Sequence, residues 1–446
     1  MSRGRIFLVG LGPGAAEQMS GRARQAIAAA DLVIGYGKYL DLIEDLIDGK
    51  EVIRKGMTQE VDRCVAACEE ARAGKTVALV SSGDIGVYGM AGLTYEVLLQ
   101  SGWKPGEGIG VELIPGITAL SACASLVGAP LGHDFCTISL SDLLTPWPVI
   151  ARRLEAAGRG DFVIALYNPR SGRRQGQLIE ARRILLRDRR PDTPVAIVRS
   201  AYRERQAVQL STLDEMNECE IGMLSTVLIG NSSTYFEAGL MITPRGYGRK
   251  YAGLTGEVKE GERSGRSLSM GLEGWQACVR RFLRDNPSQS LRQVAGYFDV
   301  HPGEILGAIG EAGEADPAGG YVAVAIRPGA ESEVLEAARA WGRLRAVVRS
   351  ETGAVSELLL HASDFSRRGD WLSLTNEHFH LHVDWSRVRR GWLLRRSDNL
   401  RGLYLTDARQ DVVFSLSLVR KDGDFEQGAK QCFEQAWERL RGEQKQ

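Results

Sequence analysis

Lysine is scarce in this sequence: only ten of its 56 basic residues are lysines, the rest being arginine. Neither sign of charge is in excess, because 56 acidic residues balance the 56 basic ones. That balance supplies no field for nucleic acid or an anionic membrane, and neither is expected as a partner. No run approaches the ~18 uninterrupted apolar residues of a membrane span. The opening MSRGRIFLVGLGPG passes into a strand without a cleavage site, so a cytoplasmic location is expected. Cysteine is scattered: Cys64, Cys68, Cys123, Cys136, Cys219, Cys278 and Cys432 contain no CxxC pair. This argues against a disulfide framework and against a four-cysteine zinc or iron–sulfur site, and no metal centre is predicted. Cys64 and Cys68 share one face of a helix by spacing and read as buried thiols.

Glycine, by contrast, is abundant, 52 of 446 residues, which suits an α/β chain with tight strand-to-helix turns. The length allows two to four domains. RIFLVGL is an apolar strand ending in GPG, followed by a helix over residues 20–30 and a second buried strand, DLVIGY. Residues 58–73 have helical periodicity, KTVALVSSGD runs from strand into glycine turn, and VELIPG repeats that pattern before a small-residue helix. Such alternation predicts a mostly parallel sheet. A second series, CTISLS, DFVIALYNP, PVAIVRSAY and STVLIGNSS, predicts a second α/β lobe. The lobes are placed at residues 1–115 and 116–245, with a polar, glycine-rich linker at 246–272. Residues 273–446 differ in composition. Their period-two stretch GDWLSLTNEHFHLHVDW predicts an α+β domain with antiparallel sheet.

Two glycine turns compete as ligand loops. GLGPG, with Ala15 following and Asp31 near the spacing of a ribose-gripping acid, partly matches a dinucleotide fingerprint. Pro13 opposes that reading, since it offers no backbone amide to a pyrophosphate, and Asp31 precedes its strand instead of ending it. VSSGDIGVYG (80–89) lies at the carboxyl end of a strand, where open α/β sheets bind ligands. Arginine dominance has a genomic explanation, but forked guanidinium groups also suit a substrate rich in carboxylates.

These loops, taken with PGITALSA, HDFCTISLSDLLTPW, ALYNPRSGRR, SAYRERQ and IGNSST, resemble the tetrapyrrole methylase family. Within it they are most similar to the ring-contracting branch that methylates precorrin-3B, or its cobalt counterpart, at carbon 17 in cobalamin biosynthesis. The resemblance spans residues 5–250. It implies a homodimer of two-lobed α/β protomers that uses S-adenosylmethionine, a cofactor without phosphate, in the cleft between lobes. Carried over by motif, Pro13, Gly83, Asp84, Ile85, Tyr88, Thr118, Ala119, Asn168 and Ala201 match the cofactor-contacting positions. The family's GDP triplet is GDI here. Members that methylate uroporphyrinogen carry an aspartate after the second strand, where this chain has GYGK, so no catalytic acid is transferred there. His133, Asp134 and Asp142 are candidates for the proton transfers of ring contraction, and Arg170, Arg173, Arg174 and Arg203 for the substrate carboxylates. Alternatives are a haem or corrinoid carrier with inactive methylase lobes, or a sister methylase acting at another ring carbon.

The C-terminal segment resembles the haem-utilisation and haem-degrading carrier family, which implies tetrapyrrole binding. Trp371, Phe379, Trp385 and Trp392 are its expected aromatic walls, and Arg389, Arg390, Arg395 and Arg396 its expected cations. His378, His380 and His382 share one face of an alternating strand, a geometry open to a metal or to a plain solvated face.

Overall fold

The computed structural model describes residues 4–172, 174–253, 256–312, 317–349, 354–361, 364–375, 377, 379–397 and 399–441. The chain divides into two units, Met1–Arg249 and Lys250–Gln446.

The first unit opens with β1 (Arg5–Gly10), α1 (Gly21–Ala29) and β2 (Leu32–Tyr36). Two single turns, α2 (Gly37–Leu40) and α3 (Glu44–Ile47), lead to β3 (Glu51–Lys55) and α4 (Glu60–Arg72). Then come β4 (Thr76–Ser81), α5 (Ala91–Gln100) and β5 (Gly110–Ile114). The strands pair in parallel in the order β3-β2-β4-β1-β5. Both faces are covered, which is why these strands read as continuous apolar runs. Ile6, Leu8, Leu32, Ile34, Val77 and Leu79 pack with α4 and α5, while Phe7, Val9, Val33, Ala78 and Val80 pack with α1–α3. Cys64 and Cys68 lie in the α4 seam as expected, and burial pushes the Cys68 thiol up to about 11.

The second lobe follows through α6 (Ala119–Val127), β6 (Gly128–Ala129), β7 (Phe135–Ser139), α7 (Trp147–Arg159), β8 (Val163–Tyr167) and α8 (Gly176–Leu185). It is completed by β9 (Pro194–Arg199), β10 (Ala207–Thr212), β11 (Ser225–Ile229), β12 (Tyr235–Glu237), β13 (Leu240–Ile242) and a turn of helix, α9 (Tyr247–Lys250). Its main sheet, β10-β9-β11-β8-β7, is mixed: only β7 and β8 run parallel, and β8–β11, β11–β9 and β9–β10 are antiparallel. The side-chain period divides its faces. Ile164, Leu166, Val195 and Ile197 meet α7 and α8, whereas Ala165, Ala196, Val198 and Leu228 meet α6. The predicted linker is partly structured, since α9 falls inside it and Tyr251 bridges Val258.

The second unit begins with three amphipathic helices, α10 (Leu272–Asp285), α11 (Leu291–Phe298) and α12 (Pro302–Ala312). After β14 (Tyr321–Ala325) come α13 (Glu331–Ala338), β15 (Leu344–Arg349), β16 (Val355–Leu360), β17 (Phe365–Arg368), β18 (Trp371–Thr375) and β19 (His380–Asp384). The chain continues through β20 (Arg390–Arg396), β21 (Leu400–Thr406), β22 (Val412–Leu418), the short pair β23 (Arg420–Lys421) and β24 (Asp424–Phe425), and α14 (Gln427–Leu440). The expected antiparallel sheet is present, in the order β14-β20-β21-β22-β15-β16, with a separate β17-β18-β19 sheet. Trp392 and Leu394 pack on α10–α12, and Leu393, Leu403, Leu405 and Phe414 on the α13 and α14 side.

The aromatic walls expected for a ligand are largely spent on packing. Trp392 is 3% exposed and Trp385 is 9% exposed, both within cores, while Trp371 stays half-exposed. Arg395 pairs with Glu434, and Arg396 donates to the Tyr321 hydroxyl. His380 and His382 are exposed on one face of β19, with His382 Nδ1 2.9 Å from Ser373 Oγ. His378 lies outside the described residues.

Candidate functional site

The strand order of the first sheet makes β1 the point at which chain connections reverse, and ligands bind outside the carboxyl ends of strands at such points. Three loops converge there, after β1, β4 and β5. Gly12 and Gly83 exchange backbone hydrogen bonds, 3.0 Å from Gly12 N to Gly83 O and 2.7 Å in return. Close approach makes glycine obligatory at Gly116: a Cβ there would lie 2.2 Å from Gly83 O and 2.8 Å from Gly10 C. Asp84 ties the loops together, accepting from Gly86 N at 2.7 Å and from Gly116 N at 2.9 Å. The Gly12 amide is thus already spent, and α1 starts beyond the turn with its own cap, Ser20 Oγ accepting from Ala23 N. The paired Gly12 amide and the missing amide of Pro13 both count against the dinucleotide reading.

The second lobe contributes the opposite wall. A cavity of about 190 Å³ is lined by Pro13, Gly83, Asp84, Tyr88, Thr118, Ala119, Asn168 and Ala201, eight of the nine predicted cofactor residues. Ile85 is the exception. Its side chain is fully buried in the α4–α5 core, because the loop turns it inward. Tyr39, Ser82, Cys123, Tyr167, Met223, Leu224 and Thr226 also line the cavity and were not foreseen. Tyr167 hydrogen-bonds Thr118 Oγ1 at 2.7 Å and receives the Leu120 amide at 2.8 Å, so the β8 end is fastened to the start of α6. Burial pushes its phenol up, which keeps it neutral. Tyr88 reaches across to donate to Thr137 O at 3.1 Å. Tyr88, Asn168 and Ser200 all have left-handed backbone, φ +52°, +50° and +50°, an uncommon and costly conformation that clusters at functional sites.

The predicted arginines divide. Arg174 donates to Ser141 Oγ and to Asn168 O, both at 3.1 Å, yet its buried Nε has no partner among the described residues. Arg170 Nε is likewise buried without a partner. Arg203 is a cavity residue rather than a rim residue, donating to Pro13 O and Ser82 Oγ, each at 2.6 Å. Arg173 lies outside the described residues.

The three proton-transfer candidates also separate. Asp142 stands just past the carboxyl end of β7, on the same edge as Asn168, and accepts from Gln177 Nε2 at 2.6 Å. His133 and Asp134 precede β7 instead, exposed at its other end, with His133 Nδ1 accepting the Asp134 amide at 2.9 Å. The five residues of β7 put ~16 Å between those ends. The sequence motif holds the three residues together, but the strand between them sends them apart.

Comparisons with known proteins agree on one family. The family of Tetrapyrrole (Corrin/Porphyrin) Methylases matches residues 5–217. A "Cobalt-factor III methyltransferase" of Priestia megaterium is 48% identical over 336 residues, 73% of this chain and 62% of that protein. The chain thus spans under two thirds of that relative's length. A "Probable cobalt-factor III C(17)-methyltransferase" of Salmonella typhimurium is 50% identical over 242 residues, 54% of this chain and 99% of that one. Among solved structures, the methyltransferase CobJ is 36% identical with a TM-score of 0.51, covering 54% of this chain and all of its own. The chain belongs to the tetrapyrrole (corrin/porphyrin) methylases.

Proposed function

We infer that this chain is an S-adenosylmethionine-dependent methyltransferase of cobalamin biosynthesis that methylates ring carbon 17 of a precorrin-3B-type tetrapyrrole with contraction of the ring. The cobalt-bearing form is favoured by the names of its relatives. One observation carries the reading: loops of both lobes enclose a cavity lined by eight of the nine positions matched to the family's cofactor contacts, in a chain that a relative named as a probable carbon-17 methyltransferase matches over 99% of its own length. When bound, the cofactor supplies a methyl group on a sulfonium, transferred in line as the neutral thioether departs. The loops of both lobes would hold the cofactor and substrate for that displacement, and alignment of this kind is worth ~7–11 kcal/mol of barrier. Asp84 joins the β4 and β5 loops, the Gly12–Gly83 backbone pair holds the β1 loop to them, and Tyr167 fastens the segment after β5 to the second lobe.

Arg170 and Arg174, beyond the carboxyl end of β8, are assigned to the carboxylates around a macrocycle, for which a forked guanidinium is a suitable partner. Asp142, on the same edge, is assigned the proton transfer at the carbon-20 oxygen that contraction requires. His133 and Asp134 are given no role, since they stand beyond the far end of β7. A cytoplasmic homodimer completes the proposal, supported by exposed Val208 and Leu210 on β10 and by exposed Tyr235 and Leu240. For the second unit, tetrapyrrole binding is proposed only at the β18–β19 face bearing Trp371, His380 and His382.

The test is incubation with S-adenosylmethionine and, separately, the metal-free and cobalt-bearing substrates, with the product analysed by mass spectrometry and carbon NMR. One added methyl at carbon 17 with a contracted ring is expected. Methylation at another carbon, or binding without turnover, would overturn the assignment.

A further inference from the structure

Among the described residues, Arg203 is a partly buried cation held by neutral groups only. Its Nε donates to the Pro13 carbonyl and one terminal nitrogen to the Ser82 hydroxyl, both at 2.6 Å. These bonds draw an arginine of the second lobe into the floor formed by the β1 and β4 loops. Gly14 leaves the passage for it, since a Cβ there would meet Arg203 Cγ at 2.8 Å. A guanidinium has five N–H donors, so hydrogen-bonding capacity remains after both contacts. Neutral acceptors offset less of a charge's desolvation than a well-placed, hydrogen-bonded anion does.

Among the described residues lining the cavity, Asp84 is the one acid, and both of its oxygens already hold backbone amides. The missing anion must therefore arrive with a ligand. Arg203 stands on the floor between the β1 and β4 loops, which a flexible amino-acid tail reaches more readily than the carboxylates on the edge of a rigid, flat tetrapyrrole. Of the two molecules the reaction brings together, the cofactor is the one with a carboxylate small enough to reach the floor. We propose that Arg203 anchors the carboxylate of the cofactor's amino-acid tail, and thereby sets where its sulfur lies in the cleft. This rests on the cavity being the S-adenosylmethionine site. It makes Arg203 a cofactor-positioning residue rather than the substrate-binding residue suggested by the sequence.

The experiment compares S-adenosylhomocysteine with its decarboxylated analogue, S-adenosyl-3-thiopropylamine, by isothermal titration of the full chain. The unmodified protein is expected to prefer the carboxylate-bearing ligand by about 10- to 100-fold, the range of a hydrogen bond to a charged group. Arg203→Met should bring the two ligands within about threefold of one another, and Arg203→Lys should restore part of the preference. No preference in the unmodified protein would overturn the proposal without help from any variant. Equal loss for both ligands in Arg203→Met would leave the arginine a clasp between loops and nothing more. An unchanged preference, with KM raised for the tetrapyrrole alone, would return it to the macrocycle. If neither ligand binds the unmodified protein, the reading of the cavity itself fails, a result distinct from the other three.

Discussion

Asp84 shows how much one carboxylate organises at this site. Each of its oxygens holds an amide from a different loop, Gly86 within its own and Gly116 after β5. Asp84→Ala strands both donors and should lower stability by ~1–3 kcal/mol. It should also weaken S-adenosylhomocysteine binding by about tenfold or more, as measured by titration calorimetry beside a thermal melt. Unchanged affinity would mean that the loops hold their positions without it. Asp84 and Tyr88 were legible beforehand from a glycine turn at a strand's carboxyl end, and Pro13, Thr118 and Asn168 through their match to the family's motifs. Tyr39, Met223 and Leu224 were not. Nothing in their neighbourhoods marks a side chain that faces a cleft built by distant strands. Arg203 was singled out for the substrate's carboxylates, but its contact with the Pro13 carbonyl, 190 positions away in the chain, could not be read from the sequence.

Among the elements, the ends of β1, β4 and β5 approach so closely that backbone meets backbone. Gly116→Ala would force its methyl group against Gly83 O and Gly10 C, and overpacking of this kind costs ~1–3 kcal/mol. Gly21→Ala is the matched control. It adds the same methyl at the start of α1, where nothing lies within 4 Å, and should stabilise by roughly 0.5 kcal/mol. Denaturant melts of the two variants are expected to move in opposite directions, with cofactor affinity lost only at Gly116; a matching fall in both would remove the argument from close approach. The parallel first sheet could be read from its alternating strands and helices. The antiparallel pairings of β9 and β11 could not. A strand buried on both faces is an apolar run whichever way it points, so VAIV and TVLI carry no sign of direction.

At the scale of the whole molecule, each unit closes its own hydrophobic core. Ile6, Phe7, Leu166 and Leu228 belong to clusters confined to the first, and Trp341, Trp392, Phe414 and Trp437 to clusters confined to the second. Residues 1–250 alone should therefore fold and bind S-adenosylhomocysteine, and the full chain should show two calorimetric transitions. A single transition, or an unfolded fragment, would mean that the units depend on each other. Residues 270–446, titrated separately with a corrinoid, haem and uroporphyrin, should show saturable quenching at Trp371; no quenching by any of them removes the proposed tetrapyrrole role of the β18–β19 face. The order of strands along the chain also bears on biosynthesis. Every strand of the first sheet is complete by Ile114, so that lobe can assemble while the rest is still being made. In the second unit β14 must wait for β20, and the core on its other face waits for α14, which ends at Leu440. At ~5–20 residues per second, the first sheet can stand finished on the ribosome for roughly 15–65 s before the last core of the second unit can close.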